Sequence, residues 1–222
     1  GCTRIPAEIG RLNCLKELQI DKKKANSELS LSLPAEIGNL TQLERLMVYN
    51  CGVKTLPEEF SGLQNLKALN LNDNDFAEFP KEILKLENLE SLAINNSYEV
   101  LPDEICNLVH LRYLYLPNAN ISRLPENIGN LQELEIVCIW GTAIKQLPES
   151  CLKWSKLKSI YLTRSIFEKI LPPEIASQSP REAVNYIIRY QKDAEKIEVN
   201  ESKMVIVGQG GVGKTCLLNR LI

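Results

Sequence analysis

The stretch "LPAEIGNLTQLERLMVYN", residues 33–50, contains the pattern that decides the fold. It begins with a large apolar residue and a proline, and it ends in a run of the form LxxLxL. The apolar–proline pair recurs in phase, with eight of the 11 prolines at Pro6, Pro34, Pro57, Pro80, Pro102, Pro125, Pro148 and Pro172. After a first, longer interval the prolines are 22 to 24 residues apart. Such regularity predicts an array of stacked repeats.

Each part of the repeat indicates a local structure. The LxL alternation predicts a short strand with its leucines pointing inward. The LPxEI segment predicts a short helical or 3₁₀ turn, with proline at the first helical position and glutamate near its positive end. The turn after each strand carries Cys51, Asn74, Ser97, Ala119, Thr142 and Ser165. Since Asn74 is the only asparagine in this set, we expect the backbone groups to be less well satisfied in the other turns.

The unit LPxEIGNLxxLxxLxLxxN resembles a leucine-rich repeat of the typical 23-residue kind, over about residues 1–175. The resemblance implies an α/β fold, a solenoid of about seven repeats, in which neighbouring units bury one continuous leucine core. The chain opens within a repeat, so we expect the core leucines of the first unit to be exposed by truncation. "DKKKANSE", residues 21–28, accounts for the longer first interval and is predicted to be an inserted surface loop.

Composition narrows the possible functions. The net charge of −2 gives no global field that would attract nucleic acid, and we expect no nucleic-acid partner. No apolar run approaches the roughly 20 residues that a membrane span needs, so we expect no transmembrane segment. The seven cysteines contain no CxxC pair, which favours a reduced, cytoplasmic protein over a disulfide scaffold. The one histidine leaves little for a metal site or a catalytic triad.

The strand residues between the leucines are predicted to line the concave side of the solenoid. Five aromatic residues lie in these columns: Tyr49, Tyr113, Tyr115, Trp140 and Tyr161. All but Tyr49 fall in the last three repeats. Because exposed aromatic side chains are enriched at protein interfaces, we predict that these five residues bind a protein partner. The alternative is that they only pack on one another across adjacent strands.

A different pattern follows the repeats. Ser179, Pro180 and Glu182 form a capping-box sequence, which predicts the start of a helix. Apolar residues then recur at helical spacing at Ala183, Val184, Ile187, Ile188, Ala194 and Ile197. We therefore predict a helix that covers the last leucines. The domain boundaries that follow are 1–178 for the repeats, 179–201 for this capping and linker helix, and 202–222 for a further unit.

The final unit carries a phosphate-loop motif. "MVIV" at 204–207 predicts a buried parallel strand, and Leu217 to Ile222 have an apolar helical pattern. Between them, GxxxxGK[ST] is matched in full by Gly208, Gln209, Gly210, Gly211, Val212, Gly213, Lys214 and Thr215. The backbone N–H groups of such a loop cradle phosphates, its lysine reaches the β- and γ-phosphates, and its threonine hydroxyl holds Mg²⁺. Thr215 is the predicted Mg²⁺ ligand.

Repeats placed before "GQGGVGKTCLLNRLI" resemble the Roco proteins, in which leucine-rich repeats precede a Ras-like GTPase domain called Roc and a dimerising COR region. The resemblance implies that the parent protein binds GTP or GDP with Mg²⁺, hydrolyses GTP slowly as a signalling switch, and dimerises only through downstream regions. We expect the 222-residue chain alone not to bind or hydrolyse GTP, and residues from about 200 onward to be poorly ordered or docked in a non-native position. The segment from Lys214 is too short to form a stable isolated helix.

Two other functions fit the same residues. The repeats could be a pure interaction scaffold without a nucleotide role. Alternatively, the chain could belong to an ATP-dependent switch of the immune-ATPase type, which also uses GGVGKT but places its repeats after the nucleotide domain. An NKxD motif about 100 residues downstream would support guanine binding over adenine binding.

Overall fold

The computed structural model describes residues 4–21, 30–95 and 98–202, with side chains described as far as residue 194. These ranges contain the strands β1 (Glu17–Asp21), β2 (Arg45–Tyr49), β3 (Ala68–Asn70), β4 (Ser91–Ala93), β5 (Tyr113–Tyr115), β6 (Ile136–Cys138) and β7 (Ser159–Tyr161). The strands alternate with 3₁₀ turns at Ala7–Arg11, Ala35–Asn39, Glu58–Gly62, Lys81–Lys85, Asp103–Asn107, Ile128–Asn130 and Glu149–Lys153. The helices α1 (Ile166–Ile170), α2 (Pro173–Ala176) and α3 (Pro180–Ser202) follow β7.

The strands form one parallel sheet in sequence order, from β1 to β7. Its register follows the repeat phase, so that each inward residue pairs with its equivalent in the next repeat. One such row is Leu18, Leu46, Leu69, Leu92, Leu114, Val137 and Ile160. The predicted repeat array, with parallel strands and short helical turns, is confirmed.

Six of the seven 3₁₀ turns begin one residue later than predicted, and the turn Ile128–Asn130 begins three residues after Pro125. Pro34 has extended dihedral angles and lies just before the first helical residue, and its carbonyl accepts a hydrogen bond from the N–H of Ile37 at 3.1 Å. The prediction that proline occupies the first helical position is therefore wrong by one residue. The glycine in these turns permits close stacking of repeats, because a Cβ at Gly129 would lie 1.9 Å from the carbonyl oxygen of Ser150.

The core is a continuous column of aliphatic side chains, and most of the inward residues in β2 to β6 are completely buried. The first repeat differs. Leu15, Leu18 and Ile20 are half-buried, and Leu12 is 50% exposed. The predicted exposure of leucines in the first repeat is confirmed. Among the described residues the first repeat packs against the second repeat alone, whereas each inner repeat packs between two neighbours.

Asn74 is the best-satisfied turn residue. Its Nδ2 donates hydrogen bonds to the carbonyls of Val48 (2.7 Å) and Leu71 (2.9 Å), and its Oδ1 accepts from the N–H groups of Cys51 (3.2 Å) and Val53 (3.1 Å). Thr142 instead donates one side-chain hydrogen bond, to the carbonyl of Ile139 at 2.8 Å. The expected difference between asparagine and its substitutes is confirmed for this pair.

The capping box at the start of α3 is confirmed. The N–H of Glu182 donates to Ser179 Oγ at 3.2 Å, and the N–H of Ser179 donates to Glu182 Oε2 at 3.1 Å. Ala183, Val184, Ile187 and Ile188 are buried, as predicted for a cap. Ala194 is exposed, so the predicted apolar stripe ends earlier, and the Ile197 side chain lies outside the described residues.

The chain divides into two compact units, Gly1–Ile188 and Arg189–Ile222. The first holds the repeats and the buried turns of α3. Of the second, the structure describes the helical residues 189–202. The predicted boundaries at 178 and 201 stay predictions. None of the described helices is long and apolar enough to cross a membrane.

Some predicted features lie outside the described ranges. These are the inserted loop from residue 22 onward, the turn residue Ser97, and the whole phosphate-loop segment with Gly208, Gln209, Gly210, Gly211, Val212, Gly213, Lys214 and Thr215. The expected poor order beyond residue 202 also falls there. These statements stay predictions.

Candidate functional site

The strand register brings four of the five predicted aromatic residues together. Tyr115 on β5 pairs with Cys138 on β6, which pairs with Tyr161 on β7. Because neighbouring strands are about 4.8 Å apart, the two tyrosines lie about 10 Å apart with the small cysteine between them. Tyr113 lies two residues before Tyr115 and Trp140 two residues after Cys138, so both belong to the same strand face. We call Tyr113, Tyr115, Trp140 and Tyr161 the aromatic cluster.

The aromatic cluster is accessible to a partner. Tyr161 is 49% exposed, and the other three rings are half-buried. Two guanidinium groups lie over its rings, with Arg112 Cζ 5.4 Å from the centroid of Tyr113 and Arg164 Cζ 5.5 Å from that of Trp140. These cation–π contacts limit the orientations available to both rings. The two rings are therefore partly ordered before a partner binds, so that binding costs less side-chain conformational entropy.

A hollow of about 410 Å³ adjoins the aromatic cluster. Ala68, Ser91 and Ala93 line its middle, while Tyr115 and Trp140 line its end. The small side chains of β3 and β4 leave this space open beside the large rings. Partial burial and then the neighbouring Tyr113 raise the pKa of Tyr115, so its phenol stays neutral at physiological pH and is available as a hydrogen-bond donor for a partner.

Tyr49 is separate from the aromatic cluster. It lies on β2, three strands before β5, or about 14 Å away at the usual strand spacing. Its hydroxyl accepts a hydrogen bond from Gln19 Nε2 at 2.9 Å. The sequence columns correctly place Tyr49 on the same face, but the structure does not bring it to the four other rings.

A row of alternating charges, which was not predicted from the sequence, lies beside the strands. The residues just before the strands form this charge ladder: Lys16, Glu44, Lys67, Glu90, Arg112, Glu135 and Lys158. Glu44 contacts Lys16 at 3.3 Å and Lys67 at 3.1 Å, while Arg112 contacts Glu90 at 3.6 Å and also pairs with Glu135. Lys158 Nζ lies 2.6 Å from Glu135 Oε2. At this position of the repeat, positive and negative residues alternate along the sequence, and this alternation could have predicted the charge ladder.

The charge ladder shifts the pKa values of its members in the direction expected for ion pairs. Hydrogen bonds from Lys158 and then Arg112 lower the pKa of Glu135, and those from Lys67 and then Lys16 lower the pKa of Glu44. Glu44 and Glu135 therefore stay charged at neutral pH, and their ion pairs lose their attraction only as acid protonates these two glutamates.

Comparison with known families decides what these repeats are. The leucine-rich repeat region family matches residues 1–95 and 95–177. The chain belongs to this family. The leucine-rich repeats thus cover all seven strands, and the aromatic cluster and the charge ladder are surface features of a leucine-rich repeat array.

Solved leucine-rich repeat structures share the fold, and each of the following covers 73% of this chain. A leucine-rich repeat protein of Leptospira interrogans is 26% identical with a TM-score of 0.48, and the chain spans 58% of it. Internalin C2 of Listeria monocytogenes is 23% identical with a TM-score of 0.56, and the chain spans 77% of it. The ectodomain of the Arabidopsis thaliana receptor kinase GASSHO1/SCHENGEN3, solved in complex with Casparian strip integrity factor 2, is 24% identical with a TM-score of 0.50, and the chain spans 23% of it. No curated protein gives a significant match.

Arg164, in the last leucine-rich repeat, has an unusual backbone. Its φ is +58°, which costs a residue with a Cβ about 1–2 kcal/mol. The Oε2 of Glu168, on α1, accepts a hydrogen bond from the N–H of Arg164 at 2.6 Å and holds this conformation. The side chain then lies over Trp140. Sequence reasoning missed this contact, although the left-handed position recurs at the repeat phase: Asn50, Asp73, Asn118 and Gly141 also have positive φ.

Proposed function

We propose that the aromatic cluster binds a protein partner on the concave side of this leucine-rich repeat module. The observation that carries the proposal is the juxtaposition of four accessible rings with the hollow of about 410 Å³. Tyrosine and tryptophan bury a large area for few rotatable bonds, and they dominate the energy of many protein interfaces. The hollow gives a partner side chain a place to insert beside Tyr115 and Trp140.

The shape of the cluster indicates how the partner would bind. The rings occupy neighbouring rows of β5, β6 and β7, so one partner segment can contact all of them. Arg164 lies beside the cluster and favours a partner with a carboxylate at the rim of its contact surface, whereas Arg112 is already paired with Glu90 and Glu135. Tyr49 would contribute to the same partner only if the interface extends across β3 and β4.

We expect the double variant Tyr115→Ala/Trp140→Ala to bind its partner at least 100-fold more weakly, because two central aromatic contacts are lost. The partner would first be captured by the wild-type chain, identified and purified, and its affinity then measured by calorimetry. A matched control is Val100→Ala/Val109→Ala, since both valines are 49% exposed and lie outside the strands. Equal affinity of the aromatic double variant and the wild type would sink the proposal.

We also propose a nucleotide-binding role for the parent protein, supported by sequence alone. Gly208–Thr215 match the phosphate-loop motif in full, and the order of repeats and motif resembles the Roco proteins. In a chain that continues into a complete GTPase domain, the loop would hold the phosphates of GTP or GDP, and Thr215 would bind Mg²⁺. The leucine-rich repeats would then recruit partners to a nucleotide-controlled switch, in the cytoplasm as the lack of a CxxC pair in the sequence favours.

Equilibrium titration with labelled GTP and ATP tests this role. We expect no micromolar binding by the 222-residue chain. A longer chain that includes the rest of the domain should bind GTP at micromolar concentration or below, and Lys214→Ala should weaken that binding at least 100-fold. Preference for ATP in the longer chain would favour the immune-ATPase alternative, and no nucleotide binding would favour the pure scaffold.

A further inference from the structure

The outer edge of β7 faces a groove. All six residues from Lys158 to Thr163 line it along one side, and residues of the C-terminal cap, including Leu171, Ala176 and Ala183, line the other. The volume of the groove is about 380 Å³. Within the described residues β7 is the last strand of the sheet, so the groove occupies the place where a further strand would lie.

The backbone at this edge has a hydrogen-bond donor without an acceptor. In the repeats of β3 to β6, the residue just after the strand donates its N–H to the next strand. The N–H of Leu116 donates to the carbonyl of Cys138 at 2.8 Å, and that of Ile139 to the carbonyl of Tyr161 at 3.0 Å. Leu162 is next in this series, and in the described part of the chain its N–H has no acceptor.

The core below the groove is also incompletely covered. Ile160 is half-buried, whereas Leu114 and Val137, its equivalents in β5 and β6, are completely buried. Since the groove contains the open side of Ile160 and the apolar side chains of Leu171 and Ala183, it can bury one further aliphatic residue.

The charge ladder ends at the same edge with Lys158, a cation that is paired on one side. Arg112, inside the array, pairs with glutamates on both sides. Among the described residues, Lys158 has an ion pair only with Glu135, on the side of β6. Glu168 also lines the groove, but its carboxylate accepts the N–H of Arg164. If the alternation continued, the next residue of the ladder would carry a negative charge.

From these observations we infer that the β7 edge binds an extended acidic segment of a partner protein, as an eighth parallel strand. The register of the array fixes its pattern. An acidic residue lies opposite Lys158, and an aliphatic residue two positions later lies opposite Ile160. The carbonyl of the residue after that accepts the N–H of Leu162. Main-chain pairing supplies affinity in this mode of binding, and the side chains supply specificity. The surface is a strand edge, and Tyr161 is the residue that it shares with the aromatic cluster proposed above.

A peptide from the protein's own β4 region provides the probe. "ENLESLAIN", residues 87–95, has Glu90, Leu92 and the carbonyl of Ala93 at the required spacing, and that carbonyl already accepts the N–H of Leu71 at 2.8 Å. Fluorescence anisotropy would measure binding of the labelled peptide to the full 222-residue chain. We expect saturable binding, weakened at least tenfold by Glu90→Lys in the peptide and by N-methylation at Ser91, which removes a main-chain donor.

Protein variants test the position of the peptide. Lys158→Glu should reverse the preference, so that the Glu90→Lys peptide binds more tightly than the original. Ala176→Trp should abolish binding of both by filling the groove. Lys156→Glu is the matched control, because it makes the same change of charge outside the groove and should leave binding unchanged. Trp140→Ala should also leave peptide binding unchanged, which would separate this site from the aromatic cluster.

Three results would overturn the proposal. They are the absence of binding at 1 mM peptide (about −4 kcal/mol at that dissociation constant), equal affinity for the two peptides, and unchanged preference in Lys158→Glu. Sedimentation of the wild-type chain provides the remaining test. A dimer that dissociates on Lys158→Glu would assign the edge to a second copy and would likewise overturn the assignment to a partner segment.

Discussion

Asn74→Ala is expected to lower the free energy of unfolding by about 3 kcal/mol, because a buried polar group that loses its partner costs about 1–3 kcal/mol. The asparagine is 8% exposed and satisfies backbone groups of two repeats at once. It accepts from the N–H groups of Cys51 and Val53 and donates to the carbonyl of Val48, all on the preceding repeat side. Alanine would leave these three groups without the side-chain partner.

Asn72→Ala is the matched control for this effect. Asn72 is two residues away in the same repeat, but its buried Oδ1 has no hydrogen-bond partner among the residues that the structure describes. Removing an unsatisfied amide should change the free energy of unfolding by less than about 0.5 kcal/mol. Urea unfolding followed by circular dichroism would compare the two variants. Equal destabilisation by both would show that the hydrogen bonds of Asn74 do not hold the repeats together.

Trp154→Ala is expected to cost about 3–5 kcal/mol, the range for truncating a buried aromatic residue. Trp154 is 2% exposed and occupies the position that leucine holds in the other repeats, as in Leu131. Its Nε1 donates a hydrogen bond to the carbonyl of Ile128 at 3.2 Å, which joins the last two repeats. Alanine would leave a cavity between these repeats and remove one of the two hydrogen bonds that the Ile128 carbonyl accepts, the other coming from the N–H of Leu131.

Trp140→Ala is the control, because the protein's other tryptophan is half-buried on the concave face. We expect it to cost less than about 1 kcal/mol. Each variant keeps one tryptophan, so fluorescence during urea unfolding reports on one residue at a time. A loss of stability in Trp140→Ala as large as that in Trp154→Ala would make the aromatic cluster part of the core and remove the basis for its role in binding.

Much of the array could be predicted from the sequence, because the position of a residue within the repeat determines whether it lies in the core or on the surface. Once Leu114 is assigned inward, Tyr113 and Tyr115 must point to the opposite face. The parallel register then aligns Tyr115 with Tyr161 without any knowledge of side-chain contacts. The capping box at Ser179 was equally local, since both of its hydrogen bonds join residues three positions apart.

Features that depend on neighbours across repeats were not accessible from the pattern. Tyr49 shares the concave column with Trp140, but the intervening small residues of β3 and β4 separate it from the cluster. Arg164 reaches Trp140 from a left-handed position that recurs in the repeat, and periodicity alone does not show which residue at that position contacts a ring. The open edge at Ile160 depends on how the short helices after β7 pack, and periodicity contains no information about a place where the repeat stops.

The alternation of the charge ladder has a consequence for how such an array can change in length. Duplicating or deleting a single repeat would put two like charges side by side at the junction, whereas gaining or losing two repeats keeps opposite charges adjacent. The ladder therefore favours growth in even steps, with the pair of repeats as the natural unit of duplication. An engineer lengthening this protein would do best to copy two consecutive repeats, such as those containing Glu90 and Arg112, as one cassette.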